Sequence, residues 1–315
     1  LTGRADFKRV VEGILAYTDR EMKDESGAFY SALDAESEDE EGKFYRWGRA
    51  EIQDILTDDQ YRLFAQVYGI DQEPNFEEKY YAPQLSLNWS ETAQQLLMTE
   101  AELEEALVPI RQKLFDVRAK RSRPLTDNKI LASWNGLMIR GYADAGRVFN
   151  NPAYIDTAAE AANFILAEMV DEEGRLIRTI TNGQGKLNAY LEDYACLIDG
   201  LLALHRSTDD PRWIEAADKI QRKQDELFWD EARGGYFYTS ADHETLLVRT
   251  KKQVDGAMPS GNSVAAGNLL YLADQLESPT YYERARRCVL AAFPIIESFP
   301  AATPRLMITA GELTE

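Results

Sequence analysis

The feature of this sequence that most restricts its fold is a repeated pair of helices joined by loops of unequal length. A helix, an acidic turn, a glycine and an aromatic or apolar residue follow one another in DFKRVVEGILAYTDREMKDESGAFY, AYIDTAAEAANFILAEMVDEEGRLIR and RWIEAADKIQRKQDELFWDEARGGYFY. The segment TYYERARRCVLAAFPIIESFP begins a fourth copy. Gly27, Gly174 and Gly234 stand behind these helices, where we predict left-handed helix C-caps.

A second, more apolar helix is predicted after each copy, at about 129–147, 187–206 and 260–276. These helices are small or apolar nearly all round, which indicates burial, whereas the first helices have charged faces and are predicted to be outer. Turns from inner to outer helix are short (FNNPAY, STDDPRW, LESPTYY), and those from outer to inner are long. Because antiparallel neighbours place all short turns at one end, we predict an all-α fold, an (α/α) toroid of helical hairpins with parallel inner helices.

We treat residues 1–315 as a single domain of this kind with an insert at about 24–128. About three hairpins and part of a fourth are present and the chain ends after an outer helix, so we expect a partial ring, truncated on its N-terminal side. The aromatic pieces GAFYSALDA and GKFYRW alternate like a short β-hairpin, which we predict to fold as a lid. The acidic run DAESEDEEG between them lacks the spacing of a calcium loop and is predicted to be a solvated tip.

The net charge of −19 restricts the partners of the chain. A surface this acidic repels phosphate backbones and anionic lipids, so neither nucleic acid nor a membrane is expected as a partner. Cys196 and Cys288 lie far apart and indicate reduced core thiols in a cytoplasmic protein. With only His205 and His243 present, a histidine-rich metal site is excluded, and no cofactor is expected.

Polar residues collect at the predicted starts of the inner helices, which a toroid brings to its long-loop end. Paired carboxylates there can move protons, while amides, hydroxyls and aromatic rings can bind sugar hydroxyls. The predicted catalytic residues are Asp193, Glu192, Asp255 and Asp127, and the predicted substrate-binding residues are Tyr190, Trp134, Asn135, Lys129, Ser260 and Asn262. We expect the four carboxylates to converge on one cavity.

Structural roles stay open for many of these residues. Asp127, Asp255 and Ser260 are equally suited to capping helix starts. Trp134 fits a core position, and a buried Asn135 must be hydrogen-bonded, either within a network or to a ligand. The two acids at positions 192 and 193 lie on a small, acidic helix face, which suits either a lumen or close packing against a partner such as the arginine at position 140.

Four motifs together resemble the C-terminal part of a family that includes spermatogenesis-associated protein 20 and many bacterial thioredoxin domain-containing proteins. They cover most of the chain and are GAFYSALDAESEDEEGKFYRW, RPLTDNKILASWNGLMIRGYADAGRV, AYLEDYACLIDGLLAL and DGAMPSGNSVAAGNLL. In that family a thioredoxin-like domain precedes a toroid similar to N-acylglucosamine 2-epimerase and six-hairpin glycosidases, which implies carbohydrate chemistry by analogy of fold. The stretch QEPNFEEKYYAPQLSLNW departs from the family pattern, and the chain holds neither a thioredoxin-like region nor the family's histidine-bearing early toroid segment.

Two functions are therefore open. The first is a sugar-active enzyme, either an epimerase that uses histidines or a hydrolase that uses two carboxylates; His205 and His243 are poorly placed for the former. The second is a non-catalytic module that binds a glycan or a protein and serves an attached thioredoxin-like domain. Because an open ring misplaces reacting groups, we expect the chain alone to show no turnover and to self-associate through uncovered apolar surface.

Overall fold

A computed structural model describes residues 3–243 and 247–314. Its elements are, in chain order, α1 (Ala5–Glu21), β1 (Tyr30–Leu33), β2 (Glu36–Ser37), β3 (Glu40–Glu41), α2 (Arg49–Ile55), α3 (Asp58–Tyr68), α4 (Trp89–Gln95), α5 (Glu100–Arg118), β4 (Thr126–Leu131), α6 (Ala132–Phe149), α7 (Pro152–Glu168), β5 (Ile177–Thr181), β6 (Gln184–Asn188), α8 (Leu191–Thr208), α9 (Pro211–Phe228), α10 (Gly261–Gln275), α11 (Pro279–Ser298) and α12 (Pro304–Glu312). Two compact units are formed, the first from the segments up to Ser31 and from Asn128 onward, the second from Ala32 to Asp127. Within the described residues, no helix has the length and apolar character needed to cross a membrane.

The first unit is built on helices α6, α8 and α10, which pack side by side. The neighbours between α6 and α8, from start to end, are Ser133 with Asp193, Gly136 with Cys196, Ile139 with Gly200, and Ala143 with Ser207. Those between α8 and α10 are Leu191 with Gly261, Ala195 with Asn268, and His205 with Tyr271. Because residue numbers rise together on both sides of every contact, the three helices are parallel, and the predicted (α/α) toroid arrangement of inner helices is confirmed.

The outer helices α7, α9 and α11 pack against the inner layer and are entered through three similar turns. Each begins with a polar N-cap side chain followed by proline, at Asn151–Pro152, Asp210–Pro211 and Ser278–Pro279. Proline suits this first position because its missing N–H would have no helical partner there. The same chemistry at three places explains why the short turns all reverse the chain within a few residues.

A second repeated turn follows each outer helix. A single β-bridge closes it, pairing Lys23 with Phe29, Val170 with Leu176, and Trp229 with Tyr236. Gly27, Gly174 and Gly234 lie inside these turns with φ of 92°, 81° and 71°, a backbone conformation that disfavours other residues. The prediction that these glycines are helix C-caps was wrong, because the left-handed residue is required by the bridged turn, and the C-cap residues of the helices are Met22, Met169 and Trp229.

Side chains from the next inner helix hold each bridged turn. Asn135 accepts the N–H of Phe29 at 2.8 Å and donates to its carbonyl at 3.0 Å. Asn262 makes the same pair of bonds with Tyr236, at 2.7 and 2.9 Å. In the middle repeat the hydroxyl of Tyr194 accepts the N–H of Leu176 at 2.9 Å. We call these three contacts the turn clamps.

Several predicted boundaries were wrong. Helix α6 begins at Ala132 and not near Lys129, because β4 continues to Leu131 and pairs antiparallel with β5, which pairs with β6. The chain does not end on an outer helix, since α12 follows α11 and packs against α10, where a fourth inner helix would begin. The aromatic pieces GAFYSALDA and GKFYRW do not form the predicted hairpin, because GKFYRW contains no strand. A different hairpin, β2–β3, lies inside the acidic run, where Glu38 and Asp39 both have the positive φ of a two-residue hairpin turn.

The second unit has its own core around α2, α3, α4 and α5. Its buried apolar residues include Trp47, Ile52, Phe64, Leu103 and Leu107. The side chains at positions 57, 88 and 99 cap the starts of α3, α4 and α5 by accepting backbone N–H groups. The description of the whole chain as a single domain with an insert at about 24–128 stays a prediction.

Glycine determines how closely α6 and α8 approach. A Cβ atom added at Gly136 would lie 2.4 Å from the carbonyl oxygen of Cys196, so Gly136→Ala should lower the free energy of unfolding by roughly 1–3 kcal/mol. Gly141 lies on the same helix with nothing within 4 Å of such an atom, and Gly141→Ala should raise stability by up to about 1 kcal/mol. Urea denaturation of both variants checks this, and equal effects would contradict the close approach.

Candidate functional site

The starts of α6, α8 and α10 meet at the long-loop end of the first unit. The N–H of Ser133 on α6 donates to the Asp193 carboxylate on α8 at 3.3 Å. The indole N–H of Trp134 donates to the sulfur of Met258, just before α10, at 3.1 Å. A Cβ atom at Gly261 would lie 3.2 Å from the backbone nitrogen of Glu192. The three helix entrances therefore form one surface.

Asp193 lies beneath this surface and is fully buried. Its carboxylate accepts the N–H of Tyr190 at 2.9 Å and a guanidinium N–H of Arg178 at 3.0 Å, besides the N–H of Ser133. Burial raises the pKa of this carboxyl, and the charge of Arg178 opposes that change. With three donors already bound, Asp193 acts as a joint between the starts of α6 and α8.

Glu192 is only half-buried and lies beside two stacked tyrosines. Its carboxylate accepts from Arg178 at 3.3 Å and from the Tyr238 hydroxyl at 3.1 Å. The rings of Tyr190 and Tyr238 stack with centroids 5.0 Å apart and 15° between their planes. Lys252 lies 4.0 Å from the centre of the Tyr238 ring. We call Arg178, Tyr190, Glu192, Tyr238 and Lys252 the aromatic–acid cluster.

Charge and burial act on the cluster together. Burial, followed by the neighbouring Glu192 carboxylate, raises the pKa of Tyr238 to about 12. Burial lowers the pKa of Arg178, but the carboxylates of Asp193 and Glu192 outweigh it and leave that pKa raised. At neutral pH the Tyr238 phenol and the Arg178 guanidinium thus keep their protons.

Trp134 lines a neighbouring apolar cavity of about 330 Å³ and is 41% exposed. Met22, Phe29 and Met138 form other parts of its wall, together with Met258. The interpretation of Trp134 as a core residue does not hold, because the ring stays open to solvent on one side. This cavity adds an apolar wall at the long-loop end.

Four other predicted site residues lie at the helix entrances with structural partners. Asn135 and Asn262 hold the turn clamps, and both N–H groups of each amide are used. Ser260 caps α10 by accepting the N–H of Ser263 at 3.0 Å. The carboxylate of Asp255 accepts the N–H groups of Ser260 and Arg305, at 2.8 and 3.0 Å, and so joins the starts of α10 and α12. These contacts explain the polar helix starts without a ligand.

Lys129 and Asp127 both lie on strand β4 and not at the start of a helix. Lys129 is exposed. Asp127 is the last residue of the second unit, and its participation in a site with the other carboxylates stays a prediction. The described residues contain no group of histidine, cysteine or acidic side chains that could hold a metal ion.

Sequence reasoning missed Arg178, Tyr238 and Lys252. Arg178 lies on the short strand β5, and the other two lie in the loop between α9 and α10. Neither place has helical periodicity, which was the signal that located the other residues. The sequence around Arg178, LIRTI, does not alternate strictly between apolar and polar residues, so it gave no local sign of this residue either.

The comparisons with known proteins bear on this site. No family model matches the chain. It is 34% identical to spermatogenesis-associated protein 20 of Homo sapiens in an alignment 347 positions long that covers 98% of this chain and 43% of that protein, and the protein of the same name from Mus musculus has the same identity and coverage. The chain is homologous to spermatogenesis-associated protein 20. It spans less than half the length of these relatives, and the family resemblance of the four motifs is confirmed.

Solved structures of similar fold include two sugar-active enzymes. Cellobiose 2-epimerase from Bacillus thermoamylovorans is 11% identical, with a TM-score of 0.44, over 92% of this chain and 72% of that one. A family 105 glycoside hydrolase from C. acetobutylicum is also 11% identical, with a TM-score of 0.46, over 93% and 72%.

Replacing Asp193 and Glu192 one at a time shows which of these two carboxylates stabilises the fold. Asp193→Asn places an NH₂ group against bound N–H donors and removes a buried charge partner, so unfolding free energy should fall by roughly 3 kcal/mol. Glu192→Gln keeps an acceptor for Arg178 and Tyr238 in a partly exposed pair and should cost less, about 1 kcal/mol. Chemical denaturation of both variants measures the difference. Similar losses would show that Asp193 is not the joint described above.

Proposed function

We propose that this chain binds carbohydrate, and that the sugar lies at the long-loop end of the first unit against the aromatic–acid cluster. The observation that supports this most is the stacked pair Tyr190–Tyr238 beside the half-exposed carboxylate of Glu192. Ligand sites generally combine aromatic walls with a few placed polar groups. Both rings are half-buried, and the part of each that is open to solvent suits the C–H groups of a sugar, while the carboxylate suits its hydroxyls.

The polar groups of the cluster complement a neutral sugar. Glu192 offers acceptor oxygens, while Arg178 and Lys252 offer N–H donors on either side of the tyrosines. Hydrogen bonds to charged groups are stronger than neutral ones and add specificity. The apolar cavity beside Trp134 offers a further wall for a second ring.

Binding without catalysis fits this geometry better than hydrolysis. The carboxylates of Glu192 and Asp193 contact the same guanidinium nitrogen of Arg178, and Asp193 has no exposed surface. A hydrolase needs its two carboxyl groups on opposite sides of the bond that breaks. The alternative, an epimerase- or hydrolase-like enzyme that uses Asp193, Glu192, Asp255 and Asp127, would require these contacts to rearrange around substrate.

The partners of the whole protein are part of the same proposal. A non-catalytic module could serve an attached thioredoxin-like domain, as the family resemblance implies. Self-association is supported by the apolar side chains of Phe7, Val10 and Ile14 on α1, which are 49%, 47% and 54% exposed. A cytoplasmic location is supported by the buried free thiols of Cys196 and Cys288.

Removing the stacking ring or the carboxylate tests the sugar site. Tyr190→Leu and Glu192→Gln should each weaken binding about tenfold, because each removes a contact worth roughly 1–2 kcal/mol. Phe293→Leu, at a 51% exposed ring on the outer helix α11, is the control and should bind normally. Calorimetric titration with glucose, mannose, N-acetylglucosamine and cellobiose measures the affinities.

The same four sugars distinguish binding without catalysis from an epimerase- or hydrolase-like activity. Product analysis after long incubation should show every sugar unchanged. Turnover lost in Glu192→Gln would favour the enzyme alternative. If no sugar of the panel binds at millimolar concentration, or if both variants bind as well as the unaltered chain, the sugar site is wrong.

A further inference from the structure

A further cavity of the first unit lies away from the aromatic–acid cluster. Its volume is about 810 Å³, and its walls come from the later parts of α6, α8 and α10 and from α12. Along α8, Arg206 in this cavity is separated from Glu192 by 14 residues, which is about 20 Å of helix. This cavity is therefore a separate place in the fold, with its own chemistry.

A single buried carboxylate lies in its floor. Asp199 on α8 has a side chain only 3% exposed. It accepts from Arg140 on α6 and from Arg305 on α12, the latter at 3.3 and 3.4 Å. Two guanidinium groups thus share one buried carboxylate.

A third arginine lies in the same cavity. Arg206 is half-buried and lies over the ring of Tyr271, with its guanidinium carbon 4.8 Å from the ring centre. It donates no hydrogen bond and forms no ion pair with any residue in 3–243 or 247–314. A guanidinium carries five N–H donors, so this group is available to a ligand.

The other acidic residues of the cavity lie either at its wall, where they pair with arginines, or at its rim, where they are exposed. Asp144 pairs with Arg140 and Arg147 at the wall, at 3.5 and 3.3 Å. The acids at the rim, Asp274, Glu277 and Glu312, are exposed to solvent, which screens them. Burial lowers the pKa of Arg305, Asp199 opposes this, and Arg140 and Arg206 lower it further. The cations of the floor therefore lie close enough to repel one another.

We propose that this cavity binds a small ligand through an oxyanion, a carboxylate or a phosphate, whose oxygens accept hydrogen bonds from Arg206 and Arg305. The planar fork of a guanidinium matches both groups by forming two parallel bonds. An anion here would relieve the repulsion among the three arginines. The source of the oxyanion is either a sugar acid or a phosphate compound, and the ring of Tyr271 lies beside either. This inference does not depend on the proposed sugar site.

Calorimetric titration of the intact chain with inorganic phosphate, glucuronate and glucose tests the inference. We expect phosphate or glucuronate to bind and glucose to bind at least tenfold more weakly in this cavity. Arg206→Gln should weaken anion binding at least tenfold, because it removes charged donors that have no other partner. The matched control is Arg286→Gln, which removes an arginine from the exposed surface of α11 and should leave the affinity unchanged.

Thermal unfolding without ligand establishes that the variants are folded. Arg206→Lys keeps the charge and serves as a second variant; it should also bind the anion more weakly, because an ammonium group lacks the planar fork. Preference for phosphate identifies a phosphate compound, and preference for glucuronate a sugar acid. The inference is overturned if neither anion binds at millimolar concentration, if a folded Arg206→Gln binds as tightly as the unaltered chain, or if glucose binds as well as glucuronate with the same dependence on Arg206.

Discussion

Backbone contact between α6 and α8 at Gly136 is the constraint on which the first unit depends. A side chain at this position would meet the Cys196 carbonyl, and Gly200 repeats the close approach from the other helix. Since the two helices are so near, the backbone N–H of Ser133 reaches the carboxylate of Asp193, and their starts become one surface. The aromatic–acid cluster and the cavity around Asp199 both lie on surfaces to which these closely packed inner helices contribute.

The turn clamps explain why polar residues gather at the starts of apolar helices. An amide is the side chain best suited to hold a backbone N–H and a backbone carbonyl together, because it carries both a donor and an acceptor. Asn135 and Asn262 do this for Phe29 and Tyr236, where backbone groups would otherwise be buried without partners. Polar residues at a helix start therefore have two separate causes, the holding of a backbone turn and the binding of a ligand. Only the partly exposed residues of the aromatic–acid cluster are left to bind a ligand.

Much of the fold could be predicted, because a hydrophobic pattern of helical period determines which face of a helix is buried. The paired helices, the short turns with proline and the parallel inner layer all follow from that pattern and from loop lengths. The start of α6 could not be predicted, since the strand that precedes it is stabilised by pairing with Ile177–Thr181, far along the chain. Of the candidate site, Glu192 and Tyr190 were found through their helix, whereas Arg178 and Tyr238 are defined by contacts that no local pattern encodes.

The three turn clamps differ in the length of chain that they close, and this bears on the order of folding. Those made by Tyr194 and Asn262 join residues 18 and 26 positions apart, whereas the one made by Asn135 joins residues 106 apart. Closing the longer loop costs only roughly 1.2–1.6 kcal/mol more, because the entropy of closure grows with the logarithm of length. Contacts of low sequence separation nevertheless form faster. During synthesis the later hairpins can therefore assemble as they emerge from the ribosome. Helix α1 can join the first unit only after more than a hundred further residues have been synthesised.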